Sequence, residues 1–297
     1  MIKCRSPGNA HYRSGSPQPD TLVPAEVTDP VHVASVTKSM VAVSVLKLVE
    51  EGVIQLQDPV GKHLPEFRHP DEPLGPFTVE HLPRHESGMP TYHNAQMDSR
   101  QLQALTQPTT AEEDLALAAT LPWVLPPGDR MLYSNSNYVA LGLMVQRLRG
   151  QPLAQVLHGY ITIAGERQDV TYMGGLIGNA AGGLVATVGD LNTFYAALMG
   201  GRLLKPATVK EMLVAPEDYG LGLQRWGDAC EGGFYYGHVG DTAGYGTIAL
   251  TTPDASRQVA ITLAYPPTAL NLTPYVPSNE LAWEVLRIGR KAFDSSC

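Results

Sequence analysis

Ser35-Val36-Thr37-Lys38 sets a hydroxyl and an ammonium three positions apart. At the start of a helix that spacing puts both side chains on one face, within reach of each other. The pair suits acyl transfer. Lys38 lowers the cost of deprotonating Ser35, or acts as the base itself where desolvation lowers its pKa, and the helix N-terminus favours the developing negative charge. Ser-x-x-Lys is a weak signal alone, and Ser44 with Lys47 repeats it as an internal control. Ser44 falls mid-helix, with no exposed turn and no dipole advantage, and reads as an incidental helix residue.

Tyr133-Ser134-Asn135 offers a phenol able to relay a proton and an amide able to hold Lys38 or a substrate carbonyl. Tyr92-His93-Asn94 has the same Tyr-x-Asn form, but buried tyrosines are more often core residues with one satisfied hydroxyl. The turn Pro126-Pro127-Gly128 favours Tyr133, because it presents the following segment as a loop before a helix. His238-Val239-Gly240 follows a strand pattern; Gly240 lets backbone approach a ligand closely and His238 offers a donor or proton carrier. The Gly240-Asp241 backbone could supply a second oxyanion donor beside the Ser35 N–H.

These residues need elements to hold them. Residues 1–34 are rich in Pro, Gly and Ser and read as loops, with one short strand near Val31 to Ala34. Val36, Met40, Val43, Leu46 and Val49 recur at helical spacing up to Gly52, which places Ser35 at a helix N-terminus. Residues 53–122 carry many turn signals, with short helices expected at 78–85 and 110–120. A helix is expected over Tyr138 to Leu148, stopped at Gly150 and Pro152, then Gly-rich chain to Gly183 and a helix over Thr187 to Met199. Beyond Tyr219 the period becomes that of strands: YGLGLQRW, FYYGHVG, GYGTIALTT and QVAITLAY form an antiparallel meander. Ser278 can cap a last helix reaching Phe293, with Leu281, Val285, Leu286 and Ile288 against the sheet.

With 297 residues, 43% of them hydrophobic, the chain can bury a core of one large domain or two packed lobes. A net charge of −8 without a Lys/Arg-rich stretch excludes a phosphate-backbone binder and favours small-molecule or peptide partners over nucleic acid. The apolar runs are far shorter than the roughly 20 residues of a membrane span, and the first twenty residues lack the long apolar stretch of a signal peptide. The three cysteines are not clustered as metal ligands, so neither a metal nor another cofactor is expected. Cys230 follows a strand and Cys297 ends the chain after a helix, so the two could be bridged where both ends lie on one side of the molecule. A bridge favours an oxidising compartment; three unpaired thiols in a cytosolic protein is the alternative.

Ser-x-x-Lys at a helix start, Tyr-Ser-Asn about a hundred residues later and His-x-Gly on a strand about a hundred further resemble the class C β-lactamase and D-alanyl-D-alanine carboxypeptidase family. The blocks ASVTKSM, HLPRHESGMP, PPGDRMLYSNSNYVALGLMVQRLRG, AAGGLVATVGDLNTFYAALMGGRLL, YGLGLQRW and YGHVGDTAGYG carry the similarity over most of residues 32–265. The resemblance implies an α/β (α+β) β-lactamase/transpeptidase-like fold, an antiparallel sheet flanked by helices plus a helical lobe. Residues 1–58 and 180–297 would form the sheet domain, and 59–179 the loop-rich lobe carrying Tyr-Ser-Asn. It further implies a serine hydrolase acting on an amide or ester through a Ser35 acyl-enzyme. Lys38 and Tyr133 would share the general-base work, Asn135 would position substrate and His238 would line the opposite wall. The secreted branch of DD-carboxypeptidases and transpeptidases similarly has His in the third motif, which implies a secreted or periplasmic location.

The sequence departs from that pattern in places. Only 34 residues precede Ser35, so the N-terminal part of the sheet is expected to be shortened, and the stretch from Gln151 to Gly183 is short as well. Val239 replaces a hydroxyl residue that helps relatives bind a carboxylate, and Gln224 stands where a cation could serve, with Arg225 and Arg130 left as anion partners. Peptidase, β-lactamase, esterase and acyltransferase variants share this chemistry, and the cleft decides among them. A binding protein that kept the fold without turnover is the reading from another class.

Overall fold

A computed structural model of the chain describes residues 26–66, 77–94, 109–162, 180–242, 245–264 and 280–295. The short strand β1 (Val31–His32) leads directly into a 3-10 turn at Ala34–Val36 and the helix α1 (Thr37–Glu50). Ser35 thus sits in the turn that precedes the helix rather than in the helix itself. Helix α1 is buried on almost every side, from Thr37 through Leu46, instead of along one stripe. A helix apolar all round belongs in the centre of a core, and α1 does lie there, packed against the helices at Asn135–Arg149 and Leu153–Thr162.

Short helices follow, α2 (Val60–His63) and α3 (Ala111–Ala118). At α3, Thr110 accepts from the Glu113 N–H at 3.1 Å and Glu113 returns a bond to the Thr110 N–H at 2.8 Å. This reciprocal cap fixes the start expected near 110. The helix expected at 78–85 is a single 3-10 turn, Val79–His81. Helix α4 (Asn135–Arg149) begins three residues before the apolar period does. Its polar first turn is nonetheless buried, with Ser136 accepting from the Tyr92 N–H at 2.9 Å and donating to the Pro90 carbonyl at 2.8 Å. Helix α5 (Leu153–Thr162) occupies chain expected to be irregular, because Pro152 precedes a new helix as well as ending the old one.

Strand β2 (Val185–Ala186) pairs antiparallel with β1, and helices α6 (Val188–Met199) and α7 (Pro206–Met212) follow. The start of α6 is capped by Thr187 and Asp190. Next comes a four-stranded antiparallel sheet in sequence order: β3 (Gln224–Gly227), β4 (Phe234–Thr242), β5 (Tyr245–Thr251) and β6 (Gln258–Ala264). The strand begins at Gln224 rather than Tyr219 because Gly222, at φ +82°, turns the backbone against α1. A Cβ there would sit 2.4 Å from the Ala42 Cβ.

Alternation along the strands divides the apolar residues between two faces. Tyr235, Ile248 and Leu250 pack with Val285 and Phe293 of the last helix, α8 (Glu280–Asp294), while Tyr236 and Ala249 join the core built on α1. Leu286 packs on the first cluster and Ile288 is half-buried. The side chain of Leu281 and all of Ser278 lie outside the described residues. The arrangement is an antiparallel sheet with helices on its faces. No helix among the described residues is long and apolar enough to cross a membrane. Cys230 is disulfide-bonded, with its Sγ 3.3 Å from the Asp294 carbonyl oxygen; Cys297 lies outside the described residues.

Candidate active site

The turn that carries Ser35 is held from three directions. Ala34 adopts the left-handed φ of +48°, a region that costs a non-glycine residue on the order of 1–3 kcal/mol unless its surroundings impose it. The Ala34 N–H donates to His32 Nδ1 at 3.2 Å and the Ala34 carbonyl accepts from the Thr37 hydroxyl at 2.7 Å. Gly240 of β4 closes the third side: a Cβ there would lie 2.4 Å from the Val33 oxygen and 2.9 Å from the Ser35 nitrogen. Only hydrogen lets β4 reach this backbone. Ser35 is half-buried, whereas Val33, Ala34 and Val36 are buried, so the serine is the residue the turn presents.

Lys38 lies beneath it with no exposed surface. Its Nζ donates to Ser35 Oγ at 2.9 Å and to the Ala181 carbonyl at 2.5 Å. Burial holds the Lys38 amine well below the ordinary lysine value, because charge in this setting lacks the water that would solvate it. The Tyr133 and Tyr138 rings lie 5.0 and 5.5 Å from Nζ. Tyr133 is 38% exposed and forms the open side of the site opposite the buried amine.

His238 is buried and neutral. Its Nδ1 lies 2.6 Å from the Val239 carbonyl and its Nε2 2.8 Å from the Tyr219 hydroxyl. Since the carbonyl can only accept, Nδ1 carries the proton and Nε2 accepts from the phenol. Burial, aided by the charge of Lys38, lowers the His238 pKa to about 3. Tyr219 is buried too, and that burial pushes its phenol well above the ordinary value.

The other expected site residues are less uniformly gathered. The Asn135 amide nitrogen lies 2.9 Å from His93 Nδ1, at the start of α4 two residues beyond Tyr133. Asp241 is exposed at the end of β4, beside Gly240. Arg225 is held by Asp218 at 2.9 Å and lies over the Phe234 ring at 4.3 Å, on the opposite partner strand from the serine turn. The control pair behaves differently: the Ser44 hydroxyl bonds to the Met40 carbonyl within buried α1, and Tyr92 is fully buried.

Sequence reasoning passed over His85, Asn137, Ala181 and Tyr219. All four lie in the blocks that carried the resemblance, so the signal was present but unassigned. Ala181 acts through its backbone carbonyl, which no side-chain pattern marks. His85 stacks on Tyr133 with ring centroids 4.1 Å apart and faces Tyr219 edge-on at 4.7 Å. Among the described residues no cluster of His, Cys, Asp and Glu could hold a metal ion.

The family model described as Beta-lactamase matches residues 10–171, more than half of the chain. The chain belongs to the beta-lactamase family. The matched span contains Ser35, Lys38 and Tyr133, and His238 lies beyond it. Among beta-lactamase relatives, Esterase EstB of Burkholderia gladioli is 34% identical over 172 residues, covering 53% of this chain and 40% of that protein. Penicillin-binding protein 4* of Bacillus subtilis is 27% identical over 150 residues, covering 50% of this chain and 31% of that protein. The match thus spans less than half the length of either relative. A D-stereospecific amidohydrolase structure from Streptomyces sp. superposes with a TM-score of 0.71 at 26% identity, covering 86% of this chain and 84% of that one.

Proposed function

We propose that this protein is a serine hydrolase that works through an acyl-enzyme on Ser35. The observation that carries the reading is the Lys38 amine, stripped of water and 2.9 Å from the Ser35 hydroxyl. Burial disfavours the ammonium form of Lys38, and its amine takes the serine proton as Oγ attacks the substrate carbonyl. The Ser35 N–H and the Gly240–Asp241 backbone, which packs against the serine turn, receive the oxyanion. Lys38 and Tyr133 pass the proton to the departing amine or alcohol, and water then releases the acyl group by the reverse path. Asn135 orients the substrate. His238, which burial keeps from taking up a proton, acts as a fixed wall rather than a proton carrier.

The substrate is an acyl compound with an uncharged leaving group, an amide or ester of the D-amino-acid peptidase type. Three features support this. Val239 has no hydroxyl, and its N–H is already taken by the Gln224 side-chain oxygen at 2.8 Å. Arg225, a sequence candidate for holding a carboxylate, is paired with Asp218. The likeness to an esterase and a D-stereospecific amidohydrolase points the same way. The disulfide at Cys230 supports work in an oxidising, secreted or periplasmic setting.

Turnover of a D-amino-acid amide, its free-acid dipeptide counterpart, a p-nitrophenyl ester and a penicillin, each with Ser35→Ala as control, tests the reading. Amide or ester turnover that disappears in Ser35→Ala is expected, with the free-acid dipeptide poorer. Equal turnover by Ser35→Ala overturns the nucleophile, and preference for the free acid overturns the leaving-group assignment.

A further inference from the structure

His85 is buried to zero exposure at a left-handed φ of +59°, and nothing in the proposed chemistry uses it. Three contacts converge on the segment Leu132–Ser134. The Leu132 N–H donates to the His85 carbonyl at 2.7 Å. The Ser134 N–H donates to His85 Nδ1 at 3.2 Å. Between these two bonds, the His85 ring lies 4.1 Å from the ring of Tyr133. One residue therefore brackets Tyr133 on both flanks of its backbone and on one face of its side chain.

The electronic state of His85 is fixed by the same contacts. Nδ1 also faces the Asn137 amide nitrogen at 3.1 Å, and Asn137 Oδ1 is already occupied by the Ser87 hydroxyl at 2.6 Å, so the amide presents its N–H. Two donors on Nδ1 require it to be bare. The proton sits on Nε2, which is buried without a hydrogen-bond partner among the rings of Tyr133, Tyr138 and Tyr219. Leaving a buried donor unpaired costs on the order of 1–3 kcal/mol, and the left-handed backbone adds strain of its own. A residue needed only to fill core volume carries neither cost.

We infer that His85 is a positioning residue, whose Nδ1 and carbonyl hold the Leu132–Ser134 segment so that the Tyr133 phenol stays over the Lys38 amine and Ser35. The inference rests on the acyl-enzyme reading above. Misplacing a reacting group by about 1 Å costs on the order of a hundredfold in rate, which sets the expected effect.

The test compares His85→Asn with His85→Gly. Both residues tolerate left-handed φ, and both leave the ring's space empty, but only Asn places an oxygen where Nδ1 stood. Acylation of Ser35 by a p-nitrophenyl ester and by a fluorescent penicillin would be timed in each, with thermal midpoints recorded. Asn within about threefold of the native rate and Gly about a hundredfold slower, with KM for the ester unchanged, is the expected result. Equal rates in the two variants overturn the inference, because the acceptor then makes no difference. If Gly fails to fold, hydrogen exchange of the Ser134 amide in the native chain decides: strong protection supports the contact, and exchange at the unfolded rate overturns it. A native chain labelled by neither probe removes the serine reading and this inference with it.

Discussion

At the scale of single residues, the site turns on one buried amine. Lys38 is expected to be a free base where an ordinary lysine is an ammonium, so acylation should climb with pH through a midpoint well below 10.5 and then level off. A rise that continues through the ordinary lysine range would contradict this. Lys38→Arg, which keeps its charge at all working pH values, should lose at least about a hundredfold in acylation. The same shift has a sign for stability. The unfolded chain binds a proton on Lys38 that the folded site releases, so stability rises with pH from the lowered pKa up to the unfolded lysine value and is flat above it. Lys38→Met removes that slope, which unfolding measured across pH would show.

The Ser35 and Lys38 pair was legible because a covalent spacing of three residues almost dictates proximity in a helical turn. Tyr133 was legible only through the motif around it. His85 was not, because its function lies in what its carbonyl and Nδ1 do for a segment some fifty positions away, and no local spacing encodes such a contact.

At the scale of elements, the nucleophile turn and strand β4 are fitted to each other through Gly240. Gly240→Ala would drive a methyl into backbone atoms of Val33 and Ser35, and backbone does not yield as a flexible side chain would. The expected cost is about 1–3 kcal/mol in stability together with a loss of about a hundredfold in acylation. Thermal unfolding and the acylation rate measured on one sample check both. Normal acylation in that variant would mean β4 does not form the wall of the site.

Helices with sharp signals were read well: the helix starting at Thr187 and the apolar repeat of α1 both appear where expected. The start of α4 was read late, since Asn135, Ser136 and Asn137 look like loop residues until their burial against residues 85–92 is known. The YGLG segment was misread as strand because its tyrosine and leucines alternate with glycines, while Gly222 in fact turns the chain against α1. Tertiary contact, rather than local propensity, decides both cases.

Across the whole molecule, the C-terminal helix and the sheet stabilise each other at a distance from the serine. Phe293 is fully buried, 4.4 Å from the Tyr235 ring, so Phe293→Ala should cost about 3–5 kcal/mol while leaving the acylation rate of the folded fraction unchanged. Denaturant unfolding and burst kinetics separate the two. The disulfide at Cys230 acts at the same scale. Pairing with Cys297 would close a long loop and stabilise by about 4 kcal/mol on the chain-entropy model. Non-reducing peptide mapping should recover Cys230 joined to Cys297, and reduction should lower the melting temperature; recovery of Cys230 joined to Cys4 would contradict the pairing. The sheet and its helices were foreseeable from the shift in periodicity after Tyr219. The shortening expected in the N-terminal part of the sheet falls largely on residues outside those described, which begin at Glu26.

The central claim is that Ser35 becomes acylated. Intact-mass spectrometry after brief exposure to a penicillin and to an activated ester, followed by peptide mapping, tests it most directly. The account predicts a mass increase equal to the acyl group, located on the peptide containing Ser35 and absent from Ser35→Ala. An adduct on another residue, or none from either reagent on a folded sample, would contradict it.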